Sequence, residues 1–417
     1  MRLAAFGGAA TDALQTRIIN LNRPGGEEDV SYNYPVLTLP LIGALVVLLI
    51  WLVIVFGRGR FWSVRNHLLP ASRGEYRPVR VCAVVPARNE ADTIARTVTA
   101  LLRQKFNGTL HVIIVDDHSV DQTATIATRA AEAIGRRAAL TVIRGEPLPE
   151  GWTGKLWAVS QGLKEAHAFS PDYLLLTDAD IEHCSLTIST LVAKAEREQL
   201  ALTSLMVRLH CCTLPEKMMI PAFVYFFFLL YPPRWIANPD ARTAGAAGGC
   251  MLVRPDALAR TAGMESIHGE IIDDCALAKA IKGSGGSVWL GLADASSSLR
   301  PYDSFRKIFK MIERTAFNQL KHSTLLLIGT IVGMLLTFVL PIALLLSRSP
   351  AATVLAIVAI GLMVRSYLSM VLYYRLSPMW SLALPASACF YLWATFKSAW
   401  NFWWGHGGQW KGRAQDR

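Results

Sequence analysis

Cysteine is sparse in this chain and nowhere arranged to hold a metal. The seven, at positions 82, 184, 211, 212, 250, 275 and 389 of 417 residues, lack the paired spacing of a zinc site. Their odd number in apolar surroundings argues against a disulfide framework. Reduced, buried thiols of a cytoplasmic domain are the expectation. Charge is also missing over long stretches. No charged residue falls between Pro35 and Phe56, "PVLTLPLIGALVVLLIWLVIVF", which excludes a water-solvated segment there and matches the length a helix needs to cross a bilayer. The run is long for a cleaved signal peptide and begins 34 residues in, so a retained span is the better reading. Finally, no nucleic-acid-binding signature accompanies the net charge of +11. Many basic residues flank apolar runs, as in "GRGRFWSVRNH" and "WKGRAQDR". Anionic lipid headgroups are therefore the expected counterpart, and nucleic acid is not.

What is present is 52% hydrophobic residues, distributed in blocks. Thr324–Leu346 is uncharged, Ala351–Tyr374 is interrupted only by Arg365, and Leu376–Phe396 is uncharged but holds Pro378 and Pro385. All three read as membrane spans. "MMIPAFVYFFFLLYPPRW", residues 218–235, is shorter, has prolines near both ends, and reads as an interfacial or re-entrant helix. The layout expected is a segment 1–34, a transmembrane helix 35–56, a globular domain 79–317 that includes the interfacial helix 218–235, two or three membrane helices within 324–400, and a basic tail 401–417. The basic flank after Phe56 suggests that the globular domain is cytoplasmic, and a multi-pass inner-membrane protein is the expectation. Three later spans would then leave the basic tail outside, against the positive-inside tendency, so either Leu376–Phe396 is re-entrant or the span count is wrong.

The middle of the chain alternates in period. "VRVCAVVPARNE", "LHVIIVDD", "ALTVIRG" and "DYLLLTDAD" read as strands, separated by the helical patterns "ADTIARTVTALLRQ", "DQTATIATRAAEAI" and "TGKLWAVSQGLKEA". Such alternation implies right-handed crossovers and a mostly parallel α/β sheet with helices on both faces. Ligands of open α/β sheets bind at the carboxyl ends of the strands. "PARNE", "DDHSVD" and "DAD" each stand at such an end, so three clusters are expected to converge on one cleft.

Adjacent Asp116 and Asp117 can accept hydrogen bonds from a ribose or a base, while Asp121 serves either a ligand or the free amides of the following helix. Asp178 and Asp180, two apart on an extended segment, point the same way. Paired carboxylates suit magnesium or manganese, which take one or two protein oxygens and complete their shell with substrate phosphates. Asp273 and Asp274 open another helix with Glu270 close by, a redundancy beyond what capping needs. A carboxylate there could accept a proton from a substrate hydroxyl. Lys155, just after a glycine at a helix start, suits an anionic group.

Assembled in this order, the motifs closely resemble the large inverting family of membrane glycosyltransferases that use nucleotide-sugar donors on a GT-A type, Rossmann-like fold. "VVPARNE", "VDDHSVDQT", "GKLWAVSQG", "DAD" and "DDCALAKAIKGSG" carry the resemblance over roughly Val79 to Phe317. "PEGWTGKLWAVSQG", "SLMVRLHC", "IPAFVYFFFLLYP", "AAGGCMLVRPDAL", "SLRPYDSF", "RTAFNQL" and "WKGR" further resemble the hopanoid-biosynthesis-associated glycosyltransferases, with carotenoid glucosyltransferases as relatives. The resemblance implies donor contacts from Pro86, Asn89, Glu90, Asp116, Asp117, Lys155, Asp178 and Arg314. It implies a divalent cation (Mg or Mn) on Asp178 and Asp180, and a catalytic pair Asp273 and Asp274 with Asp274 as base, where relatives carry Glu-Asp. The implied activity is hexosyltransferase-like: one sugar moved with inversion from a nucleotide-sugar donor to a lipid acceptor, a hopanoid or other isoprenoid. A polyprenyl-phosphate sugar transferase and a non-catalytic scaffold in hopanoid biosynthesis are the alternatives. Processive synthases carry Q-x-x-R-W; here "MIERTAF" retains only Arg314, which makes polymer synthesis doubtful.

Overall fold

A computed structural model describes residues 38–404, 409–410 and 413–414. The expected segment 1–34, the first three residues of the span 35–56 and most of the tail 401–417 lie outside the described residues. In chain order the principal elements are helix α1 (Leu39–Leu52), strands β1 (Leu68–Leu69) and β2 (Val79–Ala87), α2 (Ile94–Leu102), β3 (Gly108–Asp116), α3 (Thr123–Ala133) and β4 (Leu140–Arg144). Then follow α4 (Gly154–Ala166), β5 (Tyr173–Leu176), β6 (Ile181–Glu182), α5 (Thr187–Glu198), β7 (Leu202–Arg208), α6 (Leu214–Leu230) and β8 (Met251–Val253). The chain closes with α7 (Asp273–Gly283), β9 (Val288–Ser298), α8 (Phe305–Glu313), α9 (Thr324–Met334), α10 (Pro350–Tyr373) and α11 (Leu384–Trp403).

The strands form one mixed sheet ordered β1-β9-β7-β8-β5-β2-β3-β4, with β6 attached to β9. Pairing is parallel except where β8 runs antiparallel between β5 and β7, and where β6 meets β9. Alternate residues of β2 feed two apolar layers. Cys82 and Val84 join Ile113, Val115, Leu174 and Leu176 on one face. Val81, Ala83 and Val85 join Val112, Ile114 and Leu175 on the other. The second layer is covered by Ile94, Val98, Ala127, Ala131, Ile188 and Leu191 from α2, α3 and α5. The first is covered by α4, whose Gly162 lets the helix lie close: a Cβ there would stand 2.4 Å from Val84 Cγ1. Helices on both faces are what uniformly apolar strands require.

That first layer does not stop at the sheet. It continues through Tyr225 and Phe228 of α6 to Trp51 of α1 and Tyr367 of α10, all fully buried. Among the described residues, five helical stretches are long and apolar enough to cross a membrane: Leu39–Gly57, Leu214–Ala237, Thr324–Leu346, Pro350–Tyr373 and Pro378–Trp403. The stretch read from sequence as 218–235 begins earlier, at Leu214, because Thr213 and Glu216 form a reciprocal capping box. It breaks after Leu230, and a short helix Pro233–Ala237 follows. Near Pro221, which has no N–H to donate, the carbonyls of Met218 and Met219 accept from Ser387 Oγ and Tyr391 Oη of α11 at 2.9 Å each.

Candidate active site

Strands β5, β2 and β3 are neighbours, so their carboxyl ends present the loops after Leu176, Ala87 and Asp116 side by side. A cleft of about 950 Å³ of open space lies there, lined by Pro86, Glu90, Lys155, Asp178, Asp180, Asp273 and Arg314, with Glu270, Arg300 and Tyr302 among its other walls. Two cations organise it. Lys155 Nζ, at the start of α4, stands 3.0 Å from Asp178 Oδ1 and 3.0 Å from Asp273 Oδ2. Arg300, two residues past β9, forks between Glu90 Oε1 at 2.7 Å and Asp180 Oδ2 at 2.5 Å.

Asp178 and Asp180 therefore do not point the same way from a strand. β5 ends at Leu176, and Ala179 and Asp180 form a turn before β6. Thr177 Oγ1 donates to Gly249 O at 2.8 Å, while Leu299 N donates to Asp180 O at 2.7 Å. These bonds pull the segment out of strand geometry, so one carboxylate meets Lys155 and the other Arg300. Both still face one cleft.

Asp274 lies behind Asp273. Its Oδ2 accepts from Gly248 N at 2.8 Å and its Oδ1 from Cys275 N at 2.7 Å, which fixes the orientation of the carboxylate. Burial, with the charge of Asp273, pushes the Asp274 carboxyl up to about 6, against the pull of Lys155 and the two amides. Burial would lower Lys155, but Asp178, Asp273 and Asp274 outweigh it and hold the ammonium well above its ordinary range. Burial likewise raises Asp178, Lys155 opposes, and Asp180 and Asp273 add to the rise.

Asp116 and Asp117 stand one strand over, at the end of β3, and Asn89 lies in the loop after β2; none of the three lines this cleft. Asp116 sits beside Ala87 in the β2–β3 register, and its Oδ1 accepts from Ser119 N at 3.0 Å. Asp117 is buried, its Oδ2 3.4 Å from Arg88 Nη1. Asn89, left-handed at φ 53°, ties the two loops together: its Oδ1 accepts from Val120 N at 2.9 Å and its own N–H donates to Ser119 Oγ at 3.0 Å. Asp121 is a brace, accepting from Ala91 N at 3.1 Å and from Thr123 N, the first residue of α3, at 3.0 Å. Capping is the use this geometry gives it.

Residue-type reasoning left out Arg300. The signal was the single cation of "SLRPYDSF", which resemblance had marked without assigning it a role. Arg314, at the C-terminal end of α8, is exposed and makes no ion pair among the described residues. No group of three or more His, Cys, Asp or Glu that could hold a metal occurs among the described residues. The oxygen donors present, Asp178 and Asp180, fit a hard cation shared with a diphosphate rather than an all-protein cage.

Residues 82–261 match the family model described as Glycosyl transferase family 2. The match runs from within β2 to past β8 and covers less than half of the chain. Over 69 residues it is 39% identical to the succinoglycan biosynthesis protein ExoU of Rhizobium meliloti (strain 1021), and the match covers 16% of this chain and 19% of that protein. The chain thus spans about a fifth of the length of that curated relative. The mannosyltransferase PcManGT from Pyrobaculum calidifontis, solved with GDP-Man and Mn2+, is similar with a TM-score of 0.50 at 17% identity, covering 86% of this chain and 99% of that one. The likeness is one of fold, GT-A. The family 2 domain match ends before Asp273, Asp274, Arg300 and Arg314.

Proposed function

We propose that this chain is a multi-pass inner-membrane glycosyltransferase, its family 2 domain cytoplasmic, that moves one sugar from a nucleotide diphosphate sugar to a hydroxyl of an apolar lipid with inversion. A hopanoid or another isoprenoid is the acceptor class. The observation that carries the reading is the convergence of Lys155, Arg300, Asp178, Asp180 and Asp273 on one strand-end cleft, with Asp274 directly behind Asp273. That cleft opens beside α8, whose Phe305 and Phe309 pack 5.9 and 5.7 Å from Phe390 of the apolar helix α11.

In the proposed reaction the acceptor O–H gives its proton to Asp274. The oxygen forms a bond to the anomeric carbon, and the bond from that carbon to the diphosphate oxygen breaks on the opposite face. Asp273 stays paired with Lys155, which faces the leaving group. When bound, a magnesium or manganese ion held by Asp178 and Asp180 supplies charge neutralisation at the diphosphate. Pro86, Asn89, Glu90, Asp116 and Asp117 shape the nucleoside side, and Arg314 approaches the diphosphate from the membrane side. Helix α11 hydrogen-bonds α6 at Met218 and Met219, Phe317 N through Ser398, and Glu313 through Asn401. Contacts with cleft-side elements along its length support a re-entrant course for this helix.

The test is transfer of labelled sugar from a panel of nucleotide sugars to extracted lipid by membranes containing the chain. Asp274→Asn is expected to lose about 10²–10⁴-fold in rate, the usual worth of a positioned base. Full activity in that variant would remove Asp274 from the reaction. The unpaired Arg314 favours a second reading, a polyprenyl-phosphate acceptor, because an exposed cation at the cleft suits a phosphate. An alkali-stable product supports the glycoside; an acid-labile phosphodiester supports the alternative.

A further inference from the structure

Both carboxylates suited to a metal are already engaged by side-chain cations, and the two engagements differ. Lys155 is shared between Asp178 and Asp273. Arg300 bonds Asp180 through Nε and Glu90 through Nη2, so its fixed fork spans two loops, one after β2 and one after β5. Asp180 has one-eighth of its side chain exposed, at 12%, and Arg300 about a third, at 35%. The carboxylate thus has little access to water except past the guanidinium. Arg300 itself is tethered by Pro301 on one side and by β9 on the other, and Tyr302 N is anchored to Glu216 Oε1 at 2.7 Å. The backbone position is fixed, while the side chain faces an open cleft.

We propose that Arg300 is an internal counter-cation that keeps a free divalent ion off Asp180 and yields the site only when a donor diphosphate arrives. The inference rests on the nucleotide-sugar reading above. A lone divalent ion approaching Asp180 must displace a charge-assisted bond and sit beside a guanidinium, two cations in one partly buried space. A diphosphate changes the balance, because its oxygens accept from the displaced guanidinium and bind the ion at once. Metal and donor then enter together, and Arg300, still held through Glu90, turns onto the diphosphate. This makes Arg300 a positioning residue that sets the order of binding.

The purified full chain in detergent is titrated with Mn2+ by electron paramagnetic resonance, with and without UDP or GDP. Wild type is expected to bind Mn2+ far more weakly alone than with whichever nucleoside diphosphate it accepts. Arg300→Met is expected to bind Mn2+ alone about tenfold more tightly or better, relief of cation repulsion being worth at least that at such spacing. The same variant is expected to bind the nucleoside diphosphate more weakly, and Asp180→Asn added to it is expected to abolish the gain. Arg300→Lys keeps a charge but not the fork and is expected to show a smaller gain; it decides the question if Arg300→Met does not fold. Unchanged or weaker Mn2+ binding in the folded variant overturns the proposal. So does a wild type that binds Mn2+ equally well with and without nucleotide, which leaves the donor reading intact. A wild type that binds no nucleoside diphosphate at all overturns both.

Discussion

Gly248 shows how little room the cleft leaves. A Cβ at this position would stand 3.2 Å from Lys155 Nζ and 3.4 Å from Asp274 Oδ2, while the residue's N–H is one of the two donors that orient Asp274. Gly248→Ala is therefore expected to cut the transfer rate about tenfold or more with a small change in melting temperature, since sub-ångström displacement of a reacting group is costly. A rate equal to wild type would mean that Asp274 does not need this orientation. The pH profile belongs to the same residue. Only the ionised carboxylate accepts a proton, and the Asp274 carboxyl is raised to about 6. Activity is expected to fall roughly tenfold per pH unit below that value and to level off above it. A kcat/KM profile flat from pH 5 to 8 would contradict the assignment. Resemblance had already singled out Asp274 as the base; in the structure the two aspartates differ because Asp273 pairs with Lys155 and Asp274 accepts from Gly248 N.

Helix α6 ties the membrane-facing part of the chain to the cleft through one side chain. Glu216 is fully buried and accepts from Cys212 N and Thr213 N at 2.9 Å, from Tyr302 N at 2.7 Å, and pairs with His210 Nδ1 at 2.8 Å. Glu216→Ala would strand those donors in a buried place, at a cost of about 1–3 kcal/mol for each one that water does not reach. The expected result is a clear drop in melting temperature together with weaker donor binding, because the Arg300 segment loses its anchor. A melting curve unchanged from wild type would show that water replaces the carboxylate. Reading the helix from Met218 passed over "TLPE", and nothing local shows that the Glu216 carboxylate also holds Tyr302, which is 86 residues away. Long-range bonds of this kind leave no periodic trace.

Among the described residues the apolar helices and the sheet share one core. Trp51 Nε1 donates to Thr337 O at 3.0 Å, Tyr225 Oη meets Ser366 Oγ at 2.8 Å, and Tyr373 Oη donates to Ala293 O of β9 at 2.6 Å. A chain cut after His322 would expose the Tyr225, Phe226 and Phe228 face of α6, which now packs on α10, α11 and Phe338 in the segment after α9. Such a truncation is expected to elute as aggregate on size exclusion without detergent, the fate of a large uncovered apolar patch. A monodisperse, nucleotide-binding fragment would show that the domain folds independently of its membrane helices.

Hydropathy and period alone were enough for the alternating strands and helices, the mostly parallel sheet, the apolar stretches and the three acidic clusters at strand ends, because each is written in neighbouring residues. Which carboxylate meets which cation was decided only when β9 brought Arg300 across to Asp180, and when the loop before β8 brought Gly248 to Asp274. The turn at Ala179 and Asp180, the break of α6 after Leu230 and the course of α11 along α6 and α8 were decided the same way. They depend on hydrogen bonds and packing between segments far apart in the chain, whose strength comes from burial that no local window contains.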